Sequence, residues 1–121
     1  MKKNTFISVF LFSLVFTLNA QTTYIADSRF EQKLIAMGYD DVMDHSVLTA
    51  NISGVTTLDI VGLQYQEIYD LTGIEDFASL TTLYCNLNKL TTLDLSNNTN
   101  LVTVNCSQNQ LTSIDVSGCL N

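Results

Sequence analysis

Basic residues are scarce in this chain: five Lys and Arg stand against twelve Asp and Glu, with a single histidine. Beyond residue 20 only Arg29, Lys33 and Lys89 oppose the twelve carboxylates, a net charge of about −9. A surface so acidic repels polyanions, which excludes nucleic acid and anionic membrane as partners. Catalytic motifs are missing as well. There is no glycine-rich phosphate loop, no G-x-S-x-G elbow and no H-E-x-x-H, and His45, flanked by polar residues, reads as a surface side chain. The three cysteines, Cys85, Cys106 and Cys119, lie 21 and 13 residues apart and form no C-x-x-C pair, so a zinc site is not expected. Asp40, Asp41 and Asp44 lack the alternating ligands, central glycine and closing glutamate of a calcium loop and read as a solvated turn. Neither an enzyme nor a cofactor is expected.

What the chain does have begins with an apolar leader. Lys2 and Lys3 precede a run from Phe6 to Leu18, the length of a signal-peptide core and short of the ~20 residues that span a bilayer. Residues 1–20 are therefore expected to be an export signal cleaved after Ala20, with no membrane insertion afterwards. No cysteine follows the run to take a lipid.

The main organisation lies in Leu80 to Asn121, where one pattern is written twice. Leu80 to Asn100 is LTTLYCNLNKLTTLDLSNNTN and Leu101 to Asn121 is LVTVNCSQNQLTSIDVSGCLN. At an offset of 21, Leu83 falls on Val104, Cys85 on Cys106, Asn88 on Asn109, Leu93 on Ile114 and Leu95 on Val116. A fixed short period is the mark of a solenoid whose coils stack. Each repeat splits into two halves of the form L-x-x-L-x-L, and the last two apolar positions of each half alternate with polar ones, as a half-buried strand requires. Leu83 and Cys85 thus point inward and Tyr84 outward; Leu93 and Leu95 point inward and Asp94 outward. Cys85 and Cys106 take leucine positions and act as small core hydrophobes, unpaired because in-register side chains run parallel, which suits a disulfide poorly.

These segments resemble the bacterial leucine-rich repeat pattern L-x-x-L-x-L-x-x-N-x-L, in Leu80, Leu83, Cys85, Asn88 and Leu90, and again in Leu101, Val104, Cys106, Asn109 and Leu111. Ile114, Val116 and Cys119 fit the variant with cysteine at the asparagine position. The segment RFEQKLIAMGYDD looks like the N-terminal cap helix of internalin-like proteins, and IYDLTGIE resembles their connection between repeats. The resemblance implies an α/β solenoid: a leucine-rich repeat stack of short parallel strands with an N-terminal α-helical cap and few helices elsewhere. It also implies that Asn88 and Asn109 form a ladder of corner hydrogen bonds, beside the stacked Cys85 and Cys106.

The cap is expected over residues 21–51 and the repeats over 52–121. Ser28 and Glu31 spell an S-x-x-E capping box, Phe30, Leu34 and Met37 give one apolar stripe, and Gly38 supplies the stop. Val55, Leu58 and Ile60 open a first coil 25 residues long, with a longer convex segment in which Ile68, Leu71, Ile74, Phe77 and Leu80 recur every three residues. The pattern ends at Asn121 without a polar cap, so truncation is expected, with further coils beyond it; whether a sorting or catalytic domain follows them is left open.

Function then falls to the outward residues. The expectation is a non-enzymatic secreted or cell-surface module that binds a protein or glycan through Thr82, Tyr84, Asn86, Thr103, Asn105 and Ser107, with Tyr84 as the central aromatic. The other side offers Thr92, Asp94, Ser96, Ser113, Asp115 and Ser117. The alternative is a passive spacer for another domain. Asp94 and Asp115 read as a solvated ladder, since a glycosidase pair needs a cleft.

Overall fold

The computed structural model describes residues 2–5, 7–11, 13, 15 and 19–120. The expected export-signal core from Phe6 to Leu18 therefore lies in part outside the described residues. Among the described residues no helix is long and apolar enough to cross a membrane.

The chain opens with β1 (Thr22–Tyr24), α1 (Ser28–Ala36), β2 (Ser46–Leu48) and α2 (Thr49–Ile52). β1 pairs antiparallel with β2, Thr23 opposite Val47. The N-cap of α1 is Asp27, which corrects the expected capping box: its Oδ1 accepts from Arg29 N at 2.7 Å and Phe30 N at 3.2 Å, and Ser28 is already helical. Aspartate is as good a cap as serine, and its second oxygen finds further work. Asp27 Oδ2 accepts from Tyr69 N at 2.7 Å and Asp70 N at 3.2 Å, tying the helix start to the first coil.

Glu31 does not turn back to the helix start either. It is buried, and its Oε1 accepts the successive backbone N–H groups of Asp44, His45 and Ser46. His45 has φ 63°, which curls these amides into an anion-holding nest. The helix ends as a Schellman motif, Gly38 at φ 80°, with Gly38 N donating to Ile35 O and Tyr39 N to Leu34 O, both at 2.9 Å. Phe30 and Leu34 are buried, whereas Met37, placed in the same stripe from spacing, is the exposed C-cap because the helix stops one residue earlier.

The coils follow. β3 (Thr57–Asp59), β4 (Thr82–Tyr84) and β6 (Thr103–Asn105) form one parallel sheet; β5 (Thr92–Asp94) and β7 (Ser113–Asp115) form a second. Leu58 sits beside Leu83, Leu83 beside Val104, and Leu93 beside Ile114. The 21-residue offset is therefore the register of the stack. In the first coil a 3-10 turn, Ile74–Asp76, replaces the second strand, and Gly73 before it has φ 107° with Ile25 and the Tyr24 carbonyl where a Cβ would go. The buried Ile68, Leu71, Ile74, Phe77 and Leu80 line this coil. The rings of Phe30 and Phe77 stack at 6.2 Å, so α1 covers its open end.

Each corner is held by an amide. Asn88 Oδ1 accepts from Ile68 N at 2.9 Å, while Nδ2 donates to Ile60 O at 2.9 Å and Cys85 O at 3.0 Å. One coil later Asn109 Oδ1 accepts from Leu90 N at 3.0 Å, and Nδ2 donates to Cys85 O at 2.9 Å and Cys106 O at 3.0 Å. Each side chain thus joins its own coil to the one before. The residues ahead of them, Leu87 and Gln108, take positive φ of 61° and 53°, a cost of about 1 kcal/mol each that the ladder offsets. Removing a buried amide leaves several backbone groups unpaired at ~1–3 kcal/mol apiece. Asn88→Ala is expected to cost about 3 kcal/mol by urea denaturation, and Asn109→Ala, at a half-buried corner, clearly less; equal losses would mean that the ladder does not act through burial.

Candidate binding face

The outward rows of the three-stranded sheet follow from its register. Thr57, Thr82 and Thr103 form one row, and Asp59, Tyr84 and Asn105 the next. The parallel ladder runs past the strand ends: Ile60 N donates to Tyr84 O at 2.8 Å, Gly62 N to Asn86 O at 2.9 Å, Cys85 N to Asn105 O at 2.9 Å and Leu87 N to Ser107 O at 3.1 Å. Asn86 and Ser107 therefore continue the face. Thr82 and Asn86 are half-buried, Tyr84 is 37% exposed, and Thr103, Asn105 and Ser107 are exposed. Asp59, absent from the outward residues expected from the repeat, belongs to the same face, since it precedes inward Ile60 as Tyr84 precedes Cys85.

Close approach of the coils constrains the corner beside this face. A Cβ on Gly62 would lie 1.6 Å from the Leu87 carbonyl oxygen, so only glycine fits there.

Several polar side chains on both faces serve their own turns. Asn105 Oδ1 accepts from Ser107 N at 3.1 Å and Ser107 Oγ at 2.8 Å. Asp94 Oδ1 accepts from Ser96 N and Oγ at 2.9 and 2.6 Å, and Asp115 Oδ1 from Ser117 N at 2.9 Å. Asp70 does the same for Thr72. The serine hydroxyls, then the serine amides, hold the Asp94 and Asp115 carboxyls below their ordinary range. Such carboxylates stay ionised and cap the backbone, which is the opposite of a general acid. The signal was an Asp or Asn followed two residues later by Ser or Thr.

On the second sheet Thr92, Asp94, Ser113 and Asp115 are exposed around the Leu93 and Ile114 pair. Where the 3-10 turn meets β5, a groove of about 320 Å³ is lined by Asp70, Leu71, Glu75, Thr92, Asp94 and their neighbours. Among the described residues no three His, Cys, Asp or Glu side chains converge as metal ligands.

A second ladder runs along the opposite corner. Asn98 is buried and its Nδ2 donates to Ile74 O at 2.8 Å and, more weakly, to Phe77 O at 3.4 Å. One coil on, Cys119 Sγ lies 3.6 Å from both Leu95 O and Asn98 O, the equivalent carbonyls. Asn98 went unread in the sequence although it completes L-x-x-L-x-L-x-x-N from Leu90. In the first coil Phe77 takes the same position, since its neighbour is a helix with an aromatic ring instead of another coil.

The three cysteines are free thiols. Cys85 is buried among leucines, with Cys106 at the equivalent place in the next coil.

No family model matches the chain. Over 65 residues, 54% of the chain, it is 35% identical to Internalin J of Listeria monocytogenes serotype 4b (strain F2365). The functional domain of InlJ from Listeria monocytogenes, a structure that includes a cysteine ladder, matches 84% of the chain with a TM-score of 0.68 and 36% identity. This chain is an internalin-like leucine-rich repeat protein. A crystal structure of the Listeria internalin InlF shares the fold at 19% identity, with a TM-score of 0.60 over 78% of this chain and 33% of that one. The internalin-like chain spans 7% of the length of Internalin J and 23% of the InlJ domain.

Stacking has a chemical consequence for the internalin-like core. Burial, and secondarily the neighbouring Cys106, pushes the Cys85 thiol up to about 12 from 9.0. Between these values the unfolded chain has released the proton and the folded chain keeps it, so this group's contribution is intact below pH 9 and is lost as pH rises towards 12. Cys85→Val is expected to remove that loss. Its urea stability should fall less steeply than that of the parent above pH 9, by roughly 1 kcal/mol per pH unit; parallel curves would show that the thiol does not titrate differently on folding.

Proposed function

We propose that the chain is exported by its leader, cleaved after Ala20, and works at the cell surface or in the medium as a non-enzymatic binding module. In this reading residues 21–51 close one end of the stack, and residues 52–121 present the face formed by β3, β4 and β6 to a protein or a glycan. The observation that carries it is the in-register face itself: Thr82, Asn86, Thr103, Asn105 and Ser107 surround Tyr84, with Asp59 on the adjoining strand. Tyr84 offers a rigid amphipathic ring at low entropic cost on a surface of short hydroxyl and amide side chains, the combination that recognition surfaces favour. The likeness to Internalin J and to the InlJ domain supports a protein as the partner class.

The spacer reading rests on one observation, the pairing of Asn105 with Ser107, which leaves fewer polar groups free to reach a ligand. A printed array of extracellular proteins and glycans separates the two. Tyr84→Ala and Thr103→Arg are expected to reduce capture about tenfold with an unchanged circular dichroism spectrum and melting midpoint. Capture that survives both substitutions favours the spacer.

A further inference from the structure

A different surface carries a more specific partner chemistry. The first coil is four residues longer than the second, and the hydrogen bonds show where they lie. Ile60 and Cys85 are equivalent at a spacing of 25, both accepting from a corner amide of the next coil. Ile68 and Leu90 are equivalent at 22, both donating to such an amide. Three of the four extra residues therefore fall between Ile60 and Ile68, at the corner that follows β3. The fourth falls before Ile74, which is equivalent to Leu95 at 21.

The corner insertion projects apolar side chains into solvent. Leu63 is 57% exposed and Tyr65 79%, with Leu87 of the next coil 42% exposed. Gln66 N donates to Leu63 O at 2.8 Å, closing a turn whose third residue, Tyr65, has φ 67°. Glycine or asparagine suits that position; tyrosine is strained there. A bulky aromatic held in a strained turn and left bare is not explained by folding.

Beside the turn lies a groove of about 260 Å³ between the insertion and α1, lined by Arg29, Gln32, Lys33, Ala36, Leu63 and Gln66. Arg29 and Lys33 are two of only three basic residues beyond residue 20. The third, Lys89, lies one coil along the same corner, its N–H donating to Ile68 O at 2.9 Å. Lys33 Nζ donates to Val61 O at 3.2 Å, which fixes the ammonium at the rim and leaves its other donors free. Among the described residues the one close contact between a basic and an acidic side chain is His45 with Glu31, elsewhere in the cap, so Arg29, Lys33 and Lys89 have no carboxylate partner there.

We propose that this groove docks an acidic peptide segment of a partner protein, with a carboxylate at Arg29 and Lys33 and an adjacent aliphatic or aromatic side chain against Leu63 and Tyr65. Charge complementarity selects the occupant. Beyond residue 20, where the net charge is about −9, two of the three Lys and Arg side chains, Arg29 and Lys33, line a groove beside the exposed Leu63. The apolar wall favours a peptide over an anionic glycan, which has no side chain to bury there.

The test uses the full chain, isotope-labelled, and a fluorescent peptide that alternates Glu with Leu, compared with its Lys-for-Glu counterpart and with heparin. Only the Glu peptide is expected to bind, shifting the amide resonances of Arg29, Lys33 and Leu63 to Gln66. The pair Arg29→Glu and Lys33→Glu should weaken binding at least about tenfold. Tyr65→Gly should weaken binding while leaving the melting midpoint unchanged or raised, because it relieves the strained turn. Equal binding of the Lys peptide, survival of binding after charge reversal, heparin in place of the Glu peptide, or shifts confined to the Tyr84 row would each overturn the proposal. None of the first three bears on the sheet-face reading, which fails instead if Tyr84 is inert.

Discussion

The fold depends on a single constraint: a coil cannot satisfy its own backbone. Strand β4 gives its hydrogen bonds to β3 and β6, and nothing within its own coil could take them. At the corner, where the chain turns and regular pairing stops, the Asn88 side chain takes over and bonds Ile60 and Ile68 of the coil before. Inward leucines have the same dependence. Leu83 is fully buried only because Leu58 and Val104 lie on either side of it. Six or so inward side chains per coil offset less free energy than ordering 21 residues costs, so neighbours supply the difference.

A stack held by neighbours needs something other than a coil at its beginning. Here the cap solves this with aromatic contact and buried charge together. Phe30 covers Phe77, the Thr23 hydroxyl donates to Asp76 at 2.6 Å, and Asp27 reaches from the helix start to the amides of Tyr69 and Asp70. Glu31 goes the other way, into the amides of residues 44–46, and so fixes the loop that returns the chain to β2. All three carboxylates accept hydrogen bonds from the cap or the first coil. They are part of the acidity of the chain and do not report a ligand.

Two surfaces result, with different chemistry. The sheet face is flat, polar and repeated, and its single aromatic is set among threonines and asparagines. The corner after β3 is neither flat nor repeated: an insertion places Leu63 and Tyr65 outside the outline of the coils and next to Arg29 and Lys33. The first follows from stacking alone. The second exists because the first coil departs from the repeat.

Much of the stack was legible in the sequence. The offset of 21 set Leu83 beside Val104 and Leu93 beside Ile114, because inward periodicity and repeat period are both local properties of the chain. The spacing of Phe30 and Leu34 likewise marked the buried side of the helix. What the sequence could not decide was where polar side chains end up. Asp27 and Ser28 are adjacent and equally good caps, and the choice between them turns on the amides of Tyr69 and Asp70, more than forty residues away. Glu31 could have closed a capping box, yet three amides of a distant loop outcompete one at the helix start. The place of the extra residues in the first coil was hidden too, since a longer spacing tells only that residues were added. Apolar pattern is written residue by residue, whereas an orphan amide or carbonyl is matched by whatever side chain the assembled structure brings within about 3 Å of it.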